Sequence, residues 1–270
     1  MNNSIRFGIV VATYQIKKEC GVNTGRAKYI SSPMVLTEMI NSIKKQSYKN
    51  WKLYLVGDCY EDEDEVKTLL STLLEPSQYV FFNLPKPGER NRGFSKMELR
   101  NTGGIAAMNK GLDLCEGDSV THIVRLDHDD VWADDHLELL EAVYVEYPKL
   151  AFAFTQARKK NAVSKSNDEY MIMPSGKSQI LIKPLLYLNN SLYIAGKTCH
   201  SSVSWQPSIV GRFRYRDPIE QMTTKPKNTS VIAGDMDMFR RMMKKIKTEK
   251  FKYIYIPILT VFHRNRRGEI

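Results

Sequence analysis

Cysteine is scarce in this sequence and long apolar runs are missing from it. The four cysteines, Cys20, Cys59, Cys115 and Cys199, are scattered with no Cys-x-x-Cys pair. That spacing excludes a zinc ribbon, offers no disulfide framework and suits a reducing compartment. No stretch approaches the roughly 20 consecutive apolar residues that span a bilayer. The opening Met-Asn-Asn-Ser-Ile-Arg leads straight into a strand-like run rather than a signal peptide. A soluble cytoplasmic protein is therefore expected. Internal repeats and a clean linker are also absent, which favours one domain over residues 1–270.

Acid is the scarcer charge. Forty Lys and Arg stand against thirty Asp and Glu, a formal net charge of +10. Such an excess favours anionic partners such as nucleotides, nucleic acid or a membrane surface, without choosing among them. It also serves plain solubility. What is present is enough apolar material for a full core, 42% hydrophobic residues over a 270-residue chain.

The first half alternates strand and helix. Phe7 to Tyr14 is a near-continuous apolar run, as in a strand buried on both faces. Ser32-Pro33 forms an N-cap and first-turn pair for a helix carrying Leu36, Met39, Ile40 and Ile43. A second strand spans Trp51 to Asp58, a second helix runs from the acidic stretch at Glu61–Glu65 through Leu74, and a third strand covers Tyr79 to Asn83. Gly104 to Leu114 predicts a third helix, His122 to Leu126 a fourth strand, and Asp134 to Tyr147 a helix stopped by Pro148. This succession predicts an open, largely parallel sheet covered by helices, with ligands at the carboxyl ends of the strands. The second half is less regular. Leu150–Gln156, Cys199–Trp205 and Tyr253–Phe262 read as strands, Asp235–Lys247 as a helix, and Lys159–Ser178 as a polar stretch.

Val-Arg-Leu-Asp-His-Asp-Asp places Asp127, Asp129 and Asp130 directly after a β-branched apolar run. Three carboxylates in four positions repel one another, so a cation among them is one reading. A helix N-terminus is the other, because Asp134 and Asp135 follow closely and acids suit the first turn of a helix.

Four ordered segments together resemble the family 2 glycosyltransferases of the GT-A fold. They are Val11-Ala12-Thr13-Tyr14; Ser42 to Trp51 leading into Leu55-Val56-Gly57-Asp58; Arg100-Asn101-Thr102-Gly103-Gly104 with Ala106, Asn109 and Gly111; and Asp127-His128-Asp129-Asp130. The match runs through residues 1–150 and is looser beyond them. The resemblance implies an α/β GT-A fold with a mostly parallel mixed sheet flanked by helices. Residues 1–150 would form the nucleotide-sugar half and 151–270 the acceptor half.

The resemblance also implies roles. Asp129 would bind Mn²⁺ or Mg²⁺, with Asp127 beside ribose and metal and His263 completing the site. Asp58 would accept from the base, flanked by Thr13 and Tyr14. Arg100, Asn101, Gly103 and Asn109 would border the nucleotide sugar, with the helix N-terminus after the glycine pair facing phosphate. Arg264 and Arg266 in the basic terminus would meet the diphosphate. Asp235, with Asp237 as the alternative, would be the base that activates an acceptor hydroxyl. The family's usual Glu-Asp pair is altered here, with Gly234 in the first place, and capping by Asp235 is an alternative. His200 and Trp205 would border the acceptor, although a Trp is more often core. Arg212, Arg214 and Arg216 alternate as they would on a strand.

The implied reaction is inverting, metal-dependent transfer of a sugar from a nucleoside diphosphate donor, UDP-linked in preference to GDP-linked, to a carbohydrate hydroxyl. A nucleotidyltransferase would call for a glycine-rich loop directly after the first strand, where Thr13-Tyr14-Gln15 stands instead. A basic nucleic-acid-binding module would account for the charge but not for the acidic cluster. No nucleic acid partner is expected, while a peripheral contact with an anionic membrane is compatible with a basic face.

Overall fold

The computed structural model describes residues 4–15, 33–90, 92–159, 200–223 and 233–263. Strand β1 (Phe7–Thr13) pairs in parallel with β2 (Trp51–Gly57) on one side and β4 (His122–Arg125) on the other, and β3 (Tyr79–Asn83) extends the parallel set beyond β2. Side-chain alternation sends Phe7, Ile9 and Val11 to one face and Val10 to the other. The first face is covered by Leu36, Met39 and Ile40 of α1 (Pro33–Lys44) and by Val66 and Leu70 of α2 (Glu63–Leu73). The second meets Met108 and Leu112 of α4 (Ile105–Glu116). Burial on both faces is why these strands read as continuous apolar runs.

Beyond β4 the sheet turns mixed. β7 (Val203–Trp205) lies antiparallel between β4 and β6 (Leu150–Lys159); β8 (Lys252–His263) runs parallel to β6, and the short β5 (Asp130–Trp132) closes the sheet antiparallel to β8. The eight strands follow the order β3-β2-β1-β4-β7-β6-β8-β5. Helix α5 (His136–Glu146) joins the first core, and α8 (Gly234–Thr248) lays Met238, Phe239, Met242, Met243 and Ile246 on the second. The expected α/β sheet, mostly parallel and flanked by helices, is the one observed. Among the described residues no helix is long and apolar enough to cross a membrane.

Several local expectations change. Cys199–Trp205 is not one strand: His200–Ser202 form a single 3₁₀ turn, and only Val203–Trp205 pair in the sheet. The acidic run at Asp127–Asp130 caps no helix, because it turns into β5, and α5 starts only at His136 after Asp135. Arg212, Arg214 and Arg216 lie on irregular chain between the short α6 (Pro207–Val210) and α7 (Pro218–Thr223), not on a strand. Helix α3 (Lys96–Thr102) was not anticipated, although its capping box is legible: Ser95 accepts from Glu98 N, and the Glu98 side chain accepts from Ser95 N at 2.7 Å.

Trp205 must be reassigned. It is 1% exposed, with its ring edge-on to Phe239 and its backbone paired with Phe152 and Ile123, so it packs the core and has no face to offer a sugar. Truncation there leaves a cavity the sheet cannot close. Trp205→Ala should lower unfolding free energy in urea by about 3–5 kcal/mol, whereas Trp205→Phe should cost clearly less.

Candidate active site

Parallel pairing puts Thr13, Asp58 and Asp127 at or just past the carboxyl ends of the neighbouring strands β1, β2 and β4, along one edge of the sheet. Thr13 ends β1 with its carbonyl accepting from Asp58 N at 2.7 Å. Asp58, buried at the end of β2, is held by the loop after β3. Its Oδ1 accepts from Gly88 N at 2.7 Å and its Oδ2 from Arg90 Nε at 3.3 Å, while the Arg90 guanidinium also donates to the Asp58 and Cys59 carbonyls. Gly88 is required there, since a Cβ would stand 2.4 Å from that of Ala106. The carboxylate expected to read a base thus also anchors a loop.

The start of α4 differs from expectation. Gly104 adopts φ +85°, a left-handed turn that favours glycine and joins α3 to α4 nearly end to end. The amides this turn exposes do not face open solvent. Gly104 N and Ala106 N donate to the two carboxylate oxygens of Glu89 at 3.2 and 2.9 Å, so a side chain holds the helix N-terminus that was expected to face phosphate. Burial, with Asp58 adding repulsion, lifts the Glu89 carboxyl to about 7 against those two hydrogen bonds. Asn109 is likewise engaged within the protein: its amide donates to Tyr215 O at 2.9 Å and accepts from Tyr215 N at 2.8 Å, tying α4 to the chain before α7. Asn101 lies in the last turn of α3, Gly103 caps that helix, and Arg100 belongs to the same helix.

The acidic cluster follows β4. Asp127 Oδ1 accepts from Arg125 at 2.9 Å, and Asp127 Oδ2 lies 3.4 Å from His200 Nδ1. The opposite ring nitrogen of His200 meets Asp235 Oδ2 at the start of α8. One imidazole therefore spans the expected ribose-side carboxylate and the expected base. Asp129 is buried two residues beyond Asp127. Asp130 is fully buried and accepts from Ser201 Oγ at 2.5 Å, while the same hydroxyl accepts from Asp127 N at 3.0 Å. Tyr14 sits edge-on to His128, ring centroids 5.4 Å apart, which carries the end of β1 to the acidic run.

Asp237 faces elsewhere. It forms ion pairs with Arg216 and Arg241, the latter at 2.9 Å. Burial acts to raise its pKa, but the two guanidinium contacts prevail and hold it below the usual carboxylate range. Gly234 packs closely on α4: a Cβ there would come within 2.6 Å of Ile105 Cδ1, so a larger residue would require the Ile105 side chain to shift. His263 occupies the register position opposite Asp130, and Arg264 and Arg266 lie outside the described residues.

Among the described residues no group of three His, Cys, Asp or Glu side chains is arranged to hold a metal ion. The donors present nevertheless suit Mg²⁺ or Mn²⁺, ions commonly bound by one or two carboxylates completed by substrate phosphates. Glu89, Arg90 and Ser201 were not anticipated from sequence; for the first two, the charged pair Glu89-Arg90 following Gly88 between two elements is the available signal.

A GT-A-like nucleotide-sugar fold is the class this architecture defines. Solved structures of TarS from S. aureus share it: one in complex with UDP has a TM-score of 0.56 at 15% identity over 96% of this chain, and one with UDP-GlcNAc has 0.53 at 15% over 98%. The chain spans 60% of the length of those structures. The sequence model of glycosyl transferase family 2 matches residues 31–247. An uncharacterized glycosyltransferase, R139 of Acanthamoeba polyphaga mimivirus, is 34% identical over 235 residues, which is 87% of this chain and 83% of that protein. The chain belongs to glycosyl transferase family 2 and is a glycosyltransferase.

The Glu89 carboxyl makes stability depend on pH with a definite sign. Its folded pKa lies above the ordinary value of 4.5, so its contribution is full below about pH 4.5 and is lost as pH rises through 7. The shift corresponds to on the order of 3 kcal/mol. In urea unfolding from pH 4.5 to 8, the unfolding free energy of the wild type minus that of Glu89→Gln should fall by this amount; the difference cancels the rise common to both proteins from the buried, neutral His122 and His136.

Proposed function

We propose that the chain transfers a sugar from a nucleoside diphosphate donor, UDP-linked in preference to GDP-linked, to a carbohydrate hydroxyl, with inversion and with the help of a divalent cation. The observation that carries this reading is the meeting of Asp127, His200 and Asp235, which sets a nucleotide-side carboxylate and a base on one imidazole. The UDP and UDP-GlcNAc complexes of TarS support the choice of donor.

In this reading Asp58, Thr13 and Tyr14 border the base, and Asp129 with Asp127 would hold Mn²⁺ or Mg²⁺. The ion would supply positive charge to the departing diphosphate. Asp235 takes the proton of the acceptor hydroxyl as its oxygen forms a bond to the anomeric carbon and the bond from that carbon to the diphosphate oxygen breaks. Proton and leaving group then end on opposite sides of the new glycosidic bond. His200 positions the Asp235 carboxylate, and the fixed pairing of Arg125 with Asp127 keeps the donor side rigid. Asp237 contributes the salt bridges that seat α8.

Two variants separate these roles. Asp129→Ala should abolish metal-dependent nucleotide binding in a calorimetric titration with Mn²⁺ and remove transfer; full transfer by that variant, or by the wild type in excess EDTA, would sink the metal role. Asp235→Asn should lower kcat by about 10²–10⁴-fold while leaving the donor Kd unchanged. Asp235 does not cap α8, whose N-cap is Ala233, and loss of folding in Asp235→Asn, read by circular dichroism, would instead assign the carboxylate a structural role in the first turn of that helix.

A further inference from the structure

Tyr215 lies between α6 and α7 and is fixed from three directions. Asn109 pins its backbone amide and carbonyl to α4. The Arg125 guanidinium carbon lies 5.5 Å from the ring centroid, and a Cβ at Gly234 would stand 3.5 Å from ring Cδ1, so the ring abuts α8 one residue before Asp235. The residue is 4% exposed; the Arg125 guanidinium is the donor that acts on its hydroxyl oxygen, and no acceptor in the described residues takes the O–H proton. The phenol is raised to about 12 by burial above all, with Arg125 opposing and Asp235 and Asp127 adding to the rise. It therefore keeps its proton at neutral pH and can both donate and accept.

A buried O–H proton without an acceptor is costly and uncommon, and a bound ligand is one way to satisfy it. Trp51 Nε1 shares the condition but begins β2, at the strand end away from Asp58. Tyr215 is instead held among the groups of the site. The Arg125 guanidinium and, opposing it, the carboxylates of Asp235 and Asp127 act on its hydroxyl, a mixed polar setting that suits a neutral polyol.

We propose that the Tyr215 hydroxyl is a sugar-binding group, forming a hydrogen bond with a ring hydroxyl of the transferred sugar between Asp127 and Asp235. The inference rests on the glycosyl-transfer reading above. It makes Tyr215 a determinant of which donor sugar fits, because a site built to bond a hydroxyl discriminates against a sugar that lacks it at that position.

The test is Tyr215→Phe, which keeps the ring and removes only the hydroxyl. UDP and UDP-GlcNAc are titrated with Mn²⁺ into wild type and variant without acceptor, and GDP with GDP-mannose are used if the wild type binds those instead. The expected result is a nucleotide-sugar affinity about tenfold weaker, the equivalent of ~1.4 kcal/mol, with nucleoside diphosphate affinity unchanged and thermal stability equal or higher. Unchanged nucleotide-sugar affinity overturns the proposal, including the case where only the acceptor KM rises. Equal weakening of both ligands, or a loss of thermal stability, overturns it as well. Absence of binding by the wild type to either pair instead defeats the glycosyl-transfer reading on which the proposal depends.

Discussion

The antiparallel pairing of β7 with β4 is the constraint from which the site follows. Ile123 opposite Trp205 and Val124 opposite Ser204 fix the register, so residues preceding β7 necessarily lie beside residues following β4. His200 and Ser201 are thereby brought to Asp127, more than seventy positions away in sequence. Had β7 run parallel to β4, the same turn would have opened at the other end of the sheet. The buried Trp205 belongs to this constraint rather than to the acceptor: it locks the strand whose upstream turn carries the imidazole.

A second regularity concerns charge. The carboxyl end of the parallel strands carries Asp58 beside Glu89, and Asp127 linked through His200 to Asp235, and unpaired carboxylates there would repel one another. Arginines relieve part of that repulsion in fixed pairs: Arg90 at Asp58, Arg125 at Asp127, and Arg216 with Arg241 at Asp237. Arg214 is likewise bound to Asp113 and Glu116. Some of the basic excess that suggested anionic partners is thus structural. Glu89 is held by two amides of α4, yet burial, with repulsion from Asp58, still pushes its carboxyl up against those bonds and the attraction of Arg92.

The sheet and its ends were legible because burial on both faces writes itself as an unbroken apolar run, and a strand end followed by Asp is visible without coordinates. Asp58 and Asp127 emerge from that pattern. Glu89 and Asn109 do not, because what defines them is the partner: the amides at the start of α4 for one, the Tyr215 backbone for the other, each set by how loops fold back. Proximity to a glycine pair suggested phosphate at that helix start, yet sequence cannot show that a side chain from the preceding loop reaches those amides first. Trp205 illustrates the reverse error, where a residue type suited to sugar stacking proved to be filling a core.

The pair at the head of α8 shows how helix geometry decides between two acids that sequence leaves level. Residues two apart on a helix are turned by roughly 200° from each other, so Asp235 and Asp237 cannot both face the same way. Asp237 points to Arg216 and Arg241, and its ion pairs hold it ionised and occupied. Asp235 therefore turns to His200. The residue before it is small where α8 begins against the first residue of α4, and a side chain at Gly234 would have to displace that of Ile105. The glycine that departs from the family's acidic pair is what allows the two helix starts to touch, and that contact sets Asp235 beside Tyr215 and the imidazole.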